Sequence, residues 1–177
     1  MLDGSPMMCK KTLLWLVPIL ITIHNLEEAV FMPAILDKRN SSIPNFLHGL
    51  LPPITYGQFL VALFIMTAIP YLIAWFANPE RERAEAGIFL LLGVQVMMLV
   101  NVFAHTGMAI LIGGYAPGVV TAIAINLPFS IYLLRRAIRE RWVSGRAMAL
   151  IVAVGVVLHA IGLPLTIILS GKVVHSL

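Results

Sequence analysis

The chain has 177 residues, 60% hydrophobic and only 11% charged, with a mean hydropathy of +0.96, an apolar share that an ordinary soluble monomer cannot bury. Its single cysteine, Cys9, excludes an internal disulfide framework and any CxxC metal knuckle. The net charge of +4 and the pI of about 9.6 come from Lys and Arg that flank apolar segments, which excludes a basic, aromatic-studded domain of the nucleic-acid-binding kind.

Five windows are long and apolar enough to cross a bilayer, so the expected fold is an all-α transmembrane bundle of five helices, with residues 1–177 forming one integral membrane domain. The first window, 12–35, follows Lys10 and Lys11 and could imitate a secretory leader. It continues through Glu27 and Glu28 without a small-x-small cleavage site, so it is expected to remain as a helix. A loop running from Asp37 to the Pro52-Pro53 pair follows, and those prolines set the start of the second window, 54–77. A turn at 78–83 leads to the third window, 86–112. The uncharged link Gly113 to Gly118 leads to the fourth, 118–134, and a basic link from Arg135 to Arg141 leads to the fifth, 147–169. No internal repeat or low-complexity tail is present.

Orientation follows from the basic residues on each side. One side of a five-span bundle carries Lys10, Lys11, Arg81, Arg83, Arg135, Arg136, Arg139, Arg141 and Arg146, and the other only Lys38, Arg39 and Lys172. The expectation is an N-terminus in the cytoplasm, with the first loop, the Tyr115 loop and the C-terminus outside or in a lumen.

Two acidic residues, Glu27 and Glu28, lie inside an apolar window. A carboxylate near mid-bilayer costs at least ~2.5–3.5 kcal/mol on insertion scales, so such groups face the bundle interior and usually mark function. His24 lies three and four residues before them, on the same helix face, and Asn25 is adjacent. His105 on the third helix and His159 on the fifth are also within windows, and Asn101 lies one turn before His105. Gly155, His159, Gly162 and Thr166 share a stripe along which a neighbouring helix could approach. Counted along the helices, His24, Glu28, Asn101, His105 and His159 all fall roughly 18–28 Å from the cytoplasmic end.

Imidazole and carboxylate donors suit a divalent metal, zinc foremost, with iron or manganese as alternatives. The metal set nominated is His24, Glu28, His105 and His159. A cation would offset the buried carboxylates, and an open coordination position would acidify a bound water. Glu27 and Glu28 are the candidates to move protons, and Asn101 and Tyr115 to stabilise a developing oxyanion. Alone, His159 and Asn101 read equally well as interhelical hydrogen-bonding residues, and Tyr115-Ala116-Pro117-Gly118 as an ordinary turn.

Three strings alter that reading together: His24-Asn25-Leu26-Glu27-Glu28, Asn101-Val102-Phe103-Ala104-His105 and Tyr115-Ala116-Pro117-Gly118. In order, spacing and placement the chain resembles the HXXEE family of small integral membrane proteins, with its His-x-x-Glu-Glu, Asn-x-x-x-His and Tyr-x-Pro-Gly motifs. The resemblance implies a membrane enzyme without a settled reaction, with His24, Glu27, Glu28, Asn101, His105, Tyr115, Pro117 and Gly118 as its polar motif residues and His159 as the match to a further family histidine.

The function expected is an intramembrane, metal-dependent enzyme that hydrolyses or modifies a lipid or another apolar molecule, with the bilayer as its surroundings. The alternative is a proton-coupled carrier or channel using the Glu and His residues as a relay, in which a homo-oligomer could build the path between subunits.

Overall fold

A computed structural model describes residues 8–48, 53–78 and 84–175. Pro52 and most of the expected turn, residues 79–83, lie outside that range. Among the described residues five helices are long and apolar enough to cross a membrane: α1 (Lys10–Ser42), α2 (Tyr56–Phe76), α3 (Ala84–Leu111), α4 (Val119–Arg139) and α5 (Gly145–His175). No strand occurs among the described residues. Helix α1 packs on α2, α3 lies against α2, α4 and α5, and α2 also touches α5.

Two helices outrun their apolar windows. Residues 37–42, expected in a loop, continue α1, because nothing in Asp37-Lys38-Arg39-Asn40 breaks a helix. The stop comes at Ile43, held extended at ψ 120° by the steric demand of Pro44 on the residue before it. Asn40 ties this end to the start of α2, its side chain accepting from the Ile54 N–H at 3.2 Å and donating to the Ile54 carbonyl at 3.0 Å. Likewise, Arg135, Arg136 and Arg139 form the last turns of α4 rather than a link, so the connection to α5 shrinks to Glu140 through Ser144.

Prolines shape the interior of the bundle. Pro33 in α1 removes the N–H that would bond the Ala29 carbonyl, and the Tyr56 hydroxyl of α2 donates to that carbonyl at 2.8 Å instead. In α4, Pro128 follows one widened, π-type turn over Ala122–Asn126, where the Leu127 N–H bonds the Ala122 carbonyl five residues back. A fully buried apolar seam of Leu13, Leu14, Val17, Leu91, Leu92 and Leu133 fills the end of the bundle nearer the N-terminus. One buried polar pair crosses the α3–α4 contact above it, the Gln95 amide donating to Ser130 Oγ at 2.6 Å.

The glycine stripe of α5 is used in part. A Cβ at Gly155 would meet Val96 Cγ1 at 2.7 Å, so α3 does approach there, whereas Gly162 has open space around it. At the end away from the N-terminus, the link between α3 and α4 folds over the bundle, and Gly118 opens α4 with φ +85°.

Candidate intramembrane His and Glu site

His24 and Glu28 stand one turn apart on α1, and α3 brings His105 against them. His24 Nε2 lies 4.0 Å from Glu28 Oε2, His105 Nε2 lies 3.3 Å from Glu28 Oε1, and the two imidazoles meet edge to face with centroids 4.8 Å apart. One ligand atom from each of the three falls within 4.8 Å of the others. The group is nearly enclosed, with side-chain exposures of 1% for His24, 11% for Glu28 and 12% for His105.

Gly118 forms the roof. A Cβ built there would stand 2.7 Å from His105 Cε1, 2.9 Å from Glu28 Cγ and 2.9 Å from His24 Cε1, so no side chain fits, and the positive φ independently favours glycine. The carbonyl of the preceding residue, Pro117, lies close to the His105 ring.

A row of hydrogen bonds holds His24. Asn101 Nδ2 lies 3.0 Å from His24 Nε2, and Thr121 Oγ1 lies 2.8 Å from His24 Nδ1. An amide nitrogen only donates, so His24 Nε2 accepts and its Nδ1–H donates to Thr121. On the far side, Asn101 Oδ1 accepts from His159 Nε2 at 3.2 Å. Of the nominated metal set, His24, Glu28 and His105 therefore converge, while His159 stands behind Asn101 and acts on the group through it.

Glu27 points elsewhere, as its offset from Glu28 by one residue along the helix requires. Its Oε1 accepts from the Tyr115 hydroxyl at 2.6 Å and the Val120 N–H at 3.3 Å, and its Oε2 from the Thr121 N–H at 2.8 Å. These N–H groups belong to the first turn of α4, which its N-cap residue, Gly118, cannot satisfy with a side chain. Glu27 supplies the missing acceptor from another helix and places a negative charge at the positive end of the α4 dipole. Loss of hydration and the Glu27 hydrogen bond hold the Tyr115 phenol well above its ordinary pKa, so it remains a donor. Glu27, Phe31, Tyr115, Val120 and Thr121 line a hollow of about 480 Å³ beside the His and Glu group.

Thr121 was not legible as a functional residue, although it touches both parts: its N–H binds Glu27 and its hydroxyl receives His24. The only available signal was its position three residues after the Tyr-x-Pro-Gly string, and nothing in the sequence says that α4 turns this face to α1.

Comparison with known proteins places these residues in context. The family model described as "Protein of unknown function with HXXEE motif" matches residues 15–133, a range that contains all three motif strings and excludes His159. The chain is 26% identical over 157 residues to the uncharacterized protein YrkK of Bacillus subtilis (strain 168), a match covering 86% of this chain and 92% of the relative. No solved structure matches.

Proposed function

The chain belongs to the HXXEE family, whose description assigns no activity, so function has to be argued from the site, and we propose that it is an intramembrane metal-dependent enzyme acting on a lipid or similarly apolar substrate. The observation that carries this reading is the convergence of His24, Glu28 and His105 from two helices under Gly118. Two imidazoles and one carboxylate with a free coordination position are the donor set of catalytic zinc sites, and iron uses the same set when it is bound on one face. Zinc is the proposed metal, with iron or manganese as the alternatives.

Each neighbour takes a role in that scheme. A bound cation would offset the charge of Glu28 in a site that water barely reaches. It would also lower the pKa of a coordinated water enough to make a nucleophile at neutral pH. Asn101, held by His159, donates to the His24 Nε2 lone pair that a cation would take, so metal binding would free that N–H toward the place where charge would develop. Glu27 and Tyr115 position the start of α4, and with it Gly118 and Thr121, rather than joining the metal group. The reaction class is metal-assisted hydrolysis or modification of a lipid-like molecule that reaches the site sideways through the hollow lined by Phe31 and Val120.

An untargeted lipid comparison tests the reading. Cells that carry Glu28→Gln in place of the wild-type protein should accumulate a lipid species that wild-type cells consume. Identical lipid profiles at equal protein levels would remove the support for a lipid enzyme.

The row His159, Asn101, His24 and Thr121 favours a second reading, a proton-coupled carrier with a buried relay. Proteoliposome flux driven by a pH gradient and abolished by Glu28→Gln would establish it in place of the enzyme.

A further inference from the structure

We propose that Thr121 is a positioning residue for the His and Glu group: its hydroxyl decides which nitrogen of His24 carries the hydrogen, and Glu27 acts on His24 through it. The consequence for a metal rests on the enzymatic reading, whereas the tautomer exists without one.

His159, Asn101, His24 and Thr121, one residue each from α5, α3, α1 and α4, form a row joined at 3.2, 3.0 and 2.8 Å. The direction in which His24 Nδ1–H donates to Thr121 has one competitor. In it the Asn101 amide turns end for end, its oxygen accepts from His24 Nε2–H, and the Thr121 hydroxyl donates to Nδ1. Both directions keep every hydrogen bond along the row, and Glu28, 4.0 Å from His24 Nε2, is beyond hydrogen-bond reach in either.

A further bond separates them. The Gly118 carbonyl, which can only accept, lies 3.3 Å from Thr121 Oγ1, and a helical threonine can turn its hydroxyl to the carbonyl three or four residues back. The hydroxyl has a single hydrogen. Given to Gly118, it leaves only lone pairs for His24, so Nδ1 must donate and Nε2 keeps its own lone pair. One additional hydrogen bond favours this direction by roughly fivefold. Nε2 is also the His24 nitrogen nearer Glu28, so the lone pair that a cation needs lies on the side of the carboxylate.

Glu27 holds the hydroxyl in place. Its Oε2 accepts from the Thr121 N–H at 2.8 Å, and its Oε1 from the Val120 N–H and the Tyr115 hydroxyl, which ties the first turn of α4 to the helix that carries His24. The branched Cβ of threonine restricts χ1, so a fixed backbone at Thr121 fixes the direction of Oγ1. The two adjacent acids thereby serve one imidazole at its two nitrogens, Glu28 beside Nε2 and Glu27 through Thr121 at Nδ1. For a metal-bound histidine, losing the partner of the second nitrogen typically costs about 10–100-fold in affinity.

Nitrogen NMR of the metal-free protein in detergent tests this, with isotope-labelled histidine at about pH 8, where an imidazole of ordinary pKa is uncharged. The wild type should show His24 with its hydrogen on Nδ1 in roughly fivefold excess. Thr121→Val, which keeps the shape and removes the hydroxyl, should bring that excess below about twofold, and Thr121→Ser, which keeps the hydroxyl, should restore it. Glu27→Ala should lower the excess in the same way, and adding it to Thr121→Val should change nothing further. An excess of the Nε2–H form in the wild type, or a ratio unmoved by Thr121→Val, would overturn the role of Thr121. A ratio unmoved by Glu27→Ala would overturn the link to Glu27. If the variants fail to fold, the wild-type ratio decides alone. Zinc affinity, measured separately, should fall about 10–100-fold in Thr121→Val and be kept in Thr121→Ser. A protein with the expected tautomers that binds no zinc would remove the metal reading and leave Thr121 in its role, so the two failures are told apart.

Discussion

Gly118 is the residue on which the site geometry depends most directly. Three side chains of the group close on the space that a Cβ would fill, and the backbone there is left-handed. Gly118→Ala should therefore destabilise the protein by ~1–3 kcal/mol through overpacking and strain, and should weaken metal binding more than Gly162→Ala, which meets open space. Thermal unfolding and a zinc titration of both variants check this, and equal behaviour would remove Gly118 as the roof. At this scale the sequence was informative about which residues matter. Glu27 and Glu28 stood out because charge in an apolar window is costly. It was silent about their division of labour. Adjacent residues on a helix diverge by about 100°, which sends Glu28 to the histidines and Glu27 to the first turn of α4, but only the packing of α4 reveals what each one meets.

The existence of the helices was legible from hydropathy, and their ends were not. Apolar windows report where a chain can sit in lipid, whereas a helix continues into polar sequence until something stops it, as α1 does until Pro44 and α4 does through Arg139. The widened turn Ala122–Asn126 was likewise invisible, since nothing in the residues before Pro128 distinguishes a π-type turn from a kink. Between elements, the pairing of α3 with α4 is testable at Gln95 and Ser130, both essentially buried at 2% and 0% exposure. A double-mutant cycle with Gln95→Leu and Ser130→Ala should give a coupling of ~0.6–1.7 kcal/mol, the range seen for interhelical hydrogen bonds in membranes. Measured by unfolding in mixed detergent, a coupling near zero would mean that the 2.6 Å contact does not contribute to this packing.

At the scale of the whole molecule, five apolar helices make this a membrane protein, and the distribution of Lys and Arg predicts which end faces the cytoplasm. Cys9 is exposed beside the start of α1 and is the single cysteine of the chain, a native reporter of that end. In intact cells it should resist a membrane-impermeant maleimide, whereas Lys172→Cys in a Cys9→Ser background should be labelled. The reverse pattern would invert the orientation and place the His and Glu group in the opposite leaflet.

The architecture concentrates polar chemistry in one layer. Below it lies the apolar seam of Leu13, Leu91 and Leu133, and above it the Tyr115 link. Within that layer, among the described residues, His24, Glu28 and His105 bring one ligand atom each within 4.8 Å of the others. The most direct test is the metal content of the wild-type protein purified without chelators, determined beside Glu28→Gln and His105→Ala. The account predicts close to one divalent ion per wild-type chain, zinc foremost, and a loss of at least roughly tenfold in affinity in either variant. A wild-type protein that binds no divalent metal even when supplied with zinc, or variants that keep the full complement, would contradict it.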